Sequence, residues 1–76
     1  MPKRTSILVE VDPVGPVQEA AIPYPVRVTL RYQLGLPPVE DHPAVAVAWT
    51  RTEVLIRWGD VTPVEVWVPK DDVRRA

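Results

Sequence analysis

Few side chains in this sequence could do chemistry, and their spacing speaks against most of it. A nucleophile–base pair needs a hydroxyl or thiol beside a proton acceptor. The only serine is Ser6, the only histidine is His42, and there is no cysteine. His42 lies in a proline-rich stretch, where it could serve as a base, a pH-sensitive contact or a single metal ligand. The commoner role for such a residue is an exposed loop position. One histidine without cysteine does not make a dedicated zinc site, so no metal and no cofactor are expected. Glu40-Asp41 and Asp71-Asp72 are adjacent carboxylate pairs of the kind that can do acid–base work. Both fall in turn-like segments, where acidic residues more often cap or solvate the chain. Gly15, Gly35 and Gly59 are isolated and belong to turns, not to a phosphate loop. Pro13-Val14-Gly15-Pro16 has PxxP spacing, but ten prolines in 76 residues make that match weak, and a rigid connector is its better use. The residues point away from an enzyme.

What remains is binding chemistry. Arg27 and Arg31 share the polar side of one expected strand with Thr29 and Gln33, and Arg57 and Trp67 share a side of two others. Basic residues beside aromatic platforms are how small barrels hold nucleic acid. The competing use is structural: arginines solubilise the sheet, and one stacking on Trp67 contributes roughly 0.5–1 kcal/mol. Formal net charge is −1, so no global field draws the chain to nucleic acid or to anionic membranes, and any charge recognition must come from a local patch.

The elements that must position these residues are strands. Seventy-six residues make one domain, expected over 1–76. Valine is abundant and favours strands, while the prolines rule out long helices. Ile7, Val9 and Val11 alternate with Ser6, Leu8 and Glu10 over 5–11, and Val26, Val28, Leu30 and Tyr32 alternate with Arg27, Thr29, Arg31 and Gln33. Between 1–11, the N-terminal strand, and 26–73, a barrel-like core, lies a proline-rich connector over 12–25 with room for one helical turn at 17–21. A long loop is expected over 34–43. The absence of cysteine favours a reducing, intracellular setting, and the apolar run Ile7-Leu8-Val9 is too short for a signal peptide or a membrane span. A cytoplasmic location is expected.

From Ala44 a three-strand meander follows. Its inward face is expected to carry Val45, Val47 and Trp49, then Val54, Ile56 and Trp58, then Val64, Val66 and Val68. Pairing Trp49 with Val54 and Trp58 with Val64 aligns these nine, because a one-residue slip would turn every valine outward. The same register sets Arg57 opposite Glu65, worth roughly 0.2–1 kcal/mol, and aligns Ala48, Leu55 and Trp67 across the outer face. Trp49 and Trp58 are then core residues, and truncating them is expected to cost more stability than truncating Trp67. Pro69 to Val73 reads as a tight turn or a single 3₁₀ turn, and Arg74 to Ala76 as a frayed end.

The order of a strand at Val26–Gln33, a long loop, the meander Ala44–Val68 and the turn Pro69-Lys70-Asp71-Asp72-Val73 resembles SH3-like or Tudor-like small barrels. A final short strand normally follows that turn in such barrels, and the N-terminal strand is the candidate to replace it. The stretch from Trp58 through Val73 also resembles short uncharacterised proteins of actinobacterial genomes and their phages. The expected fold class is all-β: a small SH3-like barrel or a curled five-stranded antiparallel sheet. SH3-like barrels bind peptides, methylated side chains, RNA, DNA or other subunits, so the fold does not choose among functions. The expected function is a non-enzymatic interaction protein that binds a protein partner or self-associates through Trp67, Leu55, Ala48 and Arg57. The alternative is a nucleic-acid-binding barrel using Arg27, Arg31, Arg57 and Trp67.

Overall fold

A computed structural model describes residues 8–33 and 35–76; the first part of the strand expected over 5–11 lies outside the described residues. Among the described residues, five strands form one antiparallel sheet: β1 Gln18–Leu30, β2 Val39–Trp49, β3 Glu53–Trp58, β4 Val64–Pro69 and β5 Val73–Arg75. A single 3₁₀ turn, Lys70–Asp72, separates β4 from β5. The strand order is β4-β3-β2-β1-β5, so the first four strands meander and the fifth returns beside the first. β4 and β5 are edge strands and do not pair with each other, which leaves the sheet curled and open. Among the described residues, no helix is long and apolar enough to cross a membrane.

The hairpin registers follow the valine alternation where turns are tight. Trp49 pairs with Val54, Trp58 with Val64, Ile56 with Val66, and Arg57 with Glu65, as expected. The inward face of β2 differs. A bulge at Val47 separates the pairs Ala48–Leu55 and Ala46–Ile56, so alternation flips there. Ala44 and Ala46 enter the core instead of Val45 and Val47, which lie half-buried on the other side. The physical reason is the extra residue: a bulge sets two residues against one on the partner strand, so the inward row of β2 changes from Trp49 to Ala46 and Ala44 across it.

The same bulge reshapes β1. Between the pairs Glu19–Ala48 and Tyr24–Ala46, the four residues Ala20–Pro23 face only Val47. Pro23 sits in that excursion, where its missing N–H costs no ladder bond. The segment 17–21 is therefore extended and not a helical turn, and the connector ends at Val17 because β1 begins at Gln18. β2 likewise begins at Val39, earlier than expected, and pairs with β1 from Leu30 onward. A second irregularity lies between the pairs Val28–His42 and Leu30–Val39, and Asp41 takes a positive φ of 56° inside it. Aspartate tolerates that region better than most residues.

The core gathers Val26, Val28 and Leu30 from β1, Ala44 and Ala46 from β2, Val54 and Ile56 from β3, and Val66 and Val68 from β4. Leu8, Tyr32, Trp49, Trp58 and Val73 pack around its rim. The chain end is not frayed: Val73, Arg74 and Arg75 pair with Val28, Arg27 and Val26. The 3₁₀ turn reverses the chain onto the open edge of β1, and buried Asp72 fixes it there by accepting two hydrogen bonds from Arg31, at 2.9 and 3.0 Å. Among the described residues, the N-terminal segment from Leu8 does not pair with that edge. It bridges Leu8 to Tyr32 and donates from the Val9 and Val11 amides to the carbonyls of Arg31 and Trp67.

Gly59 turns the chain from β3 toward β4 with φ of +99°, and a Cβ there would lie 2.9 Å from the Thr62 carbonyl oxygen. Gly59→Ala is expected to cost about 1–3 kcal/mol. For a domain of this size that lowers Tm by roughly 4–8 °C per kcal/mol. Gly15→Ala also meets a positive φ but no neighbour within 4 Å, so the smaller shift belongs to that variant in parallel thermal melts.

Candidate binding groove

The residues expected to form a surface site are not brought together as one free patch. Arg27 donates to the Asp41 carbonyl at 3.2 Å, Arg31 is held by Asp72, and Arg57 pairs with Glu65 at 3.4 Å. The Asp72 carboxylate, through its hydrogen bonds and then its charge, raises the Arg31 guanidinium above its ordinary pKa. Ala48 is only 3% exposed and has almost no surface to offer a partner. Leu55 and Trp67 do align with it across the outer face, both half-buried. Exposure of the three tryptophans is similar in class, but Trp49 and Trp58 pack on the core and Trp67 is not among the side chains that do.

The N-terminal segment is pinned near that outer face by Glu53. Its carboxylate accepts from the Thr50 and Thr52 hydroxyls, each at 2.5 Å, and from the Val14 amide at 3.0 Å. Thr50 in turn accepts from the Glu53 amide, which locks the β2–β3 turn. The Thr50 hydroxyl first, then Thr52 and the Val14 amide, hold the Glu53 pKa below its ordinary value. A lowered folded pKa stabilises the fold above the unfolded carboxylate's pKa, and that contribution disappears as pH falls through the folded value. Glu53→Gln is therefore expected to be less stable than wild type in urea near pH 7, with the gap closing near pH 3. A gap independent of pH would show that the charge of Glu53 is not what the turn uses.

A different set of residues is drawn together on the other side of the molecule. β1 carries Tyr24 and β2 carries Trp49 into edge-to-face contact, with ring centroids 6.0 Å apart and planes at 64°. They border a groove of about 300 Å³ whose apolar floor includes Val26, Val54 and Val73. Lys70 from the 3₁₀ turn and Arg74 and Arg75 from β5 form its rim. A second depression shares Trp49 and Lys70 with the first and adds Arg51 from the β2–β3 turn. No acidic side chain lines either. Arg74 is spent on an ion pair with Asp41, but Arg51, Lys70 and Arg75 form no ion pair among the described residues. Tyr24 is 39% exposed.

Sequence reasoning placed Trp49 in the core and did not link it to Tyr24, because that link depends on the β1 excursion and on β5. A partial signal was present in the cations Lys70, Arg74 and Arg75, concentrated within six residues. His42 is half-buried and packs edge-on against Trp58, with centroids 5.0 Å apart. Among the described residues, no group of three or more histidine and carboxylate side chains could hold a metal ion. The carboxylates at 71 and 72 also separate: Asp72 is buried against Arg31 while Asp71 is exposed. No family model, curated protein or solved structure matches the chain.

Proposed function

We propose that this chain is a small non-enzymatic binding protein on an SH3-like plan, holding its ligand in the groove beside Tyr24 and Trp49. The observation that carries this reading is the groove itself: two aromatic rings over an apolar floor, rimmed by cations, with no acidic side chain lining it. The SH3-like plan is supported by the meander, the single 3₁₀ turn and the short fifth strand returning to β1. The non-enzymatic reading is supported by where four of the ten carboxylates go. Asp72 is spent on Arg31, Glu53 on two threonines, Asp41 on Arg74 and Glu65 on Arg57. The cysteine-free composition favours a cytoplasmic setting for it.

The competing surface is the outer row of Leu55 and Trp67 with Arg57, which would serve a protein partner or a second copy of the chain. Tryptophans are common interface anchors, so both surfaces make the same kind of prediction for different residues. The test is capture of protein and nucleic-acid partners by tagged wild type, Trp49→Ala and Trp67→Ala, with light scattering of each. The proposal expects partners lost with Trp49→Ala shown by circular dichroism to be folded, and with the exposed double variant Lys70→Gln, Arg75→Gln, and kept with Trp67→Ala. Partners, or a dimer, lost only with Trp67→Ala would overturn it in favour of the outer row.

A further inference from the structure

We infer that the ligand of the Tyr24–Trp49 groove is a single-stranded nucleic acid, its bases stacking on the rings and its phosphates meeting Arg51, Lys70 and Arg75. The inference rests on the groove being the recognition surface, and it adds the class of ligand.

Three features select this chemistry. The cations are spread along a path and not gathered at a point: Arg51 borders one depression, Arg75 the other, and Lys70 both, with Trp49 common to the two. A single anionic group needs one such contact, whereas a polyanionic backbone running past the ring meets all three. The rings are arranged edge to face, so the ring that presents its edge keeps both faces clear of its neighbour, and an unpaired base needs such a face. Every base has one, which makes stacking tolerant of sequence. Paired bases are already stacked on each other, so a duplex could use the cations but not the rings. The charge is also local: the chain as a whole carries −1, yet every charged side chain that lines the two depressions is a cation. The segregation places the positive potential beside the aromatic rings, as in single-strand grooves generally.

The experiment is fluorescence polarisation of the full chain against a labelled oligothymidylate of about twelve nucleotides, with a duplex of equal length and a polyglutamate peptide as competitors. Three phosphate contacts at about 0.7 released counterions each predict that affinity falls roughly twentyfold between 50 and 200 mM salt. Trp49→Ala is expected to weaken binding roughly five- to hundredfold, the range of one stacked base. Trp49→Phe, which keeps a ring, should restore most of it. The exposed double variant Lys70→Gln, Arg75→Gln should flatten the salt dependence while its circular dichroism and melting curve stay those of a folded protein. Trp67→Ala should leave affinity unchanged. No binding of the oligothymidylate at 50 mM salt overturns the inference, as does binding that the Lys70, Arg75 double variant does not alter. If the peptide alone binds, and Trp49→Ala abolishes it, the nucleic-acid assignment fails while the groove stands. If neither ligand binds and partner capture follows Trp67, both fail.

Discussion

Ile56→Ala is expected to lose about 2–5 kcal/mol of stability, the usual cost of deleting most of a large aliphatic side chain from a closed core. Ile56 is fully buried in the central part of the sheet, between Ala46 on β2 and Val66 on β4. Its neighbours are short or held in strand pairing, so they have little freedom to collapse into the space. Stabilities of folded domains scale at roughly 0.05–0.15 kcal/mol per residue, which gives a chain of this length little to spare. Urea unfolding should show a midpoint far below wild type, or no folded baseline at all. Leu55→Ala is the comparison. Leu55 lies one residue away on the opposite face and is half-buried, so its truncation should cost clearly less. Equal losses would mean that the two faces of β3 are not distinguished as the structure has them.

The second large effect concerns a residue that strict alternation places outside. Ala46→Leu is expected to destabilise by about 1–3 kcal/mol, because it forces a branched side chain into a filled site. Ala46 is 0% exposed and sits in the core cluster, brought inward by the bulge at Val47. Without that bulge, Ala46 would face outward and leucine would be tolerated or even favourable, given the β-propensity of larger side chains. Urea midpoints of Ala46→Leu and Val45→Leu therefore report directly on the flip. Loss in the first and near neutrality in the second is the outcome the structure requires; the reverse would restore uninterrupted alternation along β2.

These two variants mark where local pattern is sufficient and where it is not. The β3–β4 pairing was legible because both strands are short, alternate cleanly and are joined by a turn around Gly59, so six consecutive residues align in the one way that buries Val54, Val66 and Val68; Val64, expected inward with them, lies at the strand end and is 39% exposed. The Arg57–Glu65 pair came with it at no further assumption. β2 was read correctly at its Trp49 end and wrongly beyond Val47. Its alternating alanines and valines are apolar on both sides, so composition cannot say which row faces in. Of the long first strand the half from Val26 is legible and the half from Gln18 to Pro25 is not: Pro23 and Pro25 argue against a regular strand, and only the tertiary structure shows Pro23 inside the four-residue excursion and Pro25 paired with Val45.

The candidate site was legible least of all. Its residues come from β1, β2, β3, the β2–β3 turn, the 3₁₀ turn, β5 and the segment before β1, at positions from 16 to 75. Nothing in local spacing joins Tyr24 to Trp49 or Lys70. The arginines that did share an expected face, Arg27 and Arg31, are instead taken by the Asp41 carbonyl and the Asp72 carboxylate, which are distant in sequence.

By itself, then, the sequence determined an all-β chain, the turns at which it reverses, and the pairing of its two short strands, because these depend on alternation and on residues a few positions apart. Only the tertiary structure decided which row of β2 faces the core, where the last three strand residues go, and which aromatic and cationic side chains meet. The reason is curvature. A small sheet must bend to cover its own apolar face, the bend introduces bulges that invert alternation, and the inversion, together with the return of β5, places Tyr24, Trp49 and their cations around a common groove.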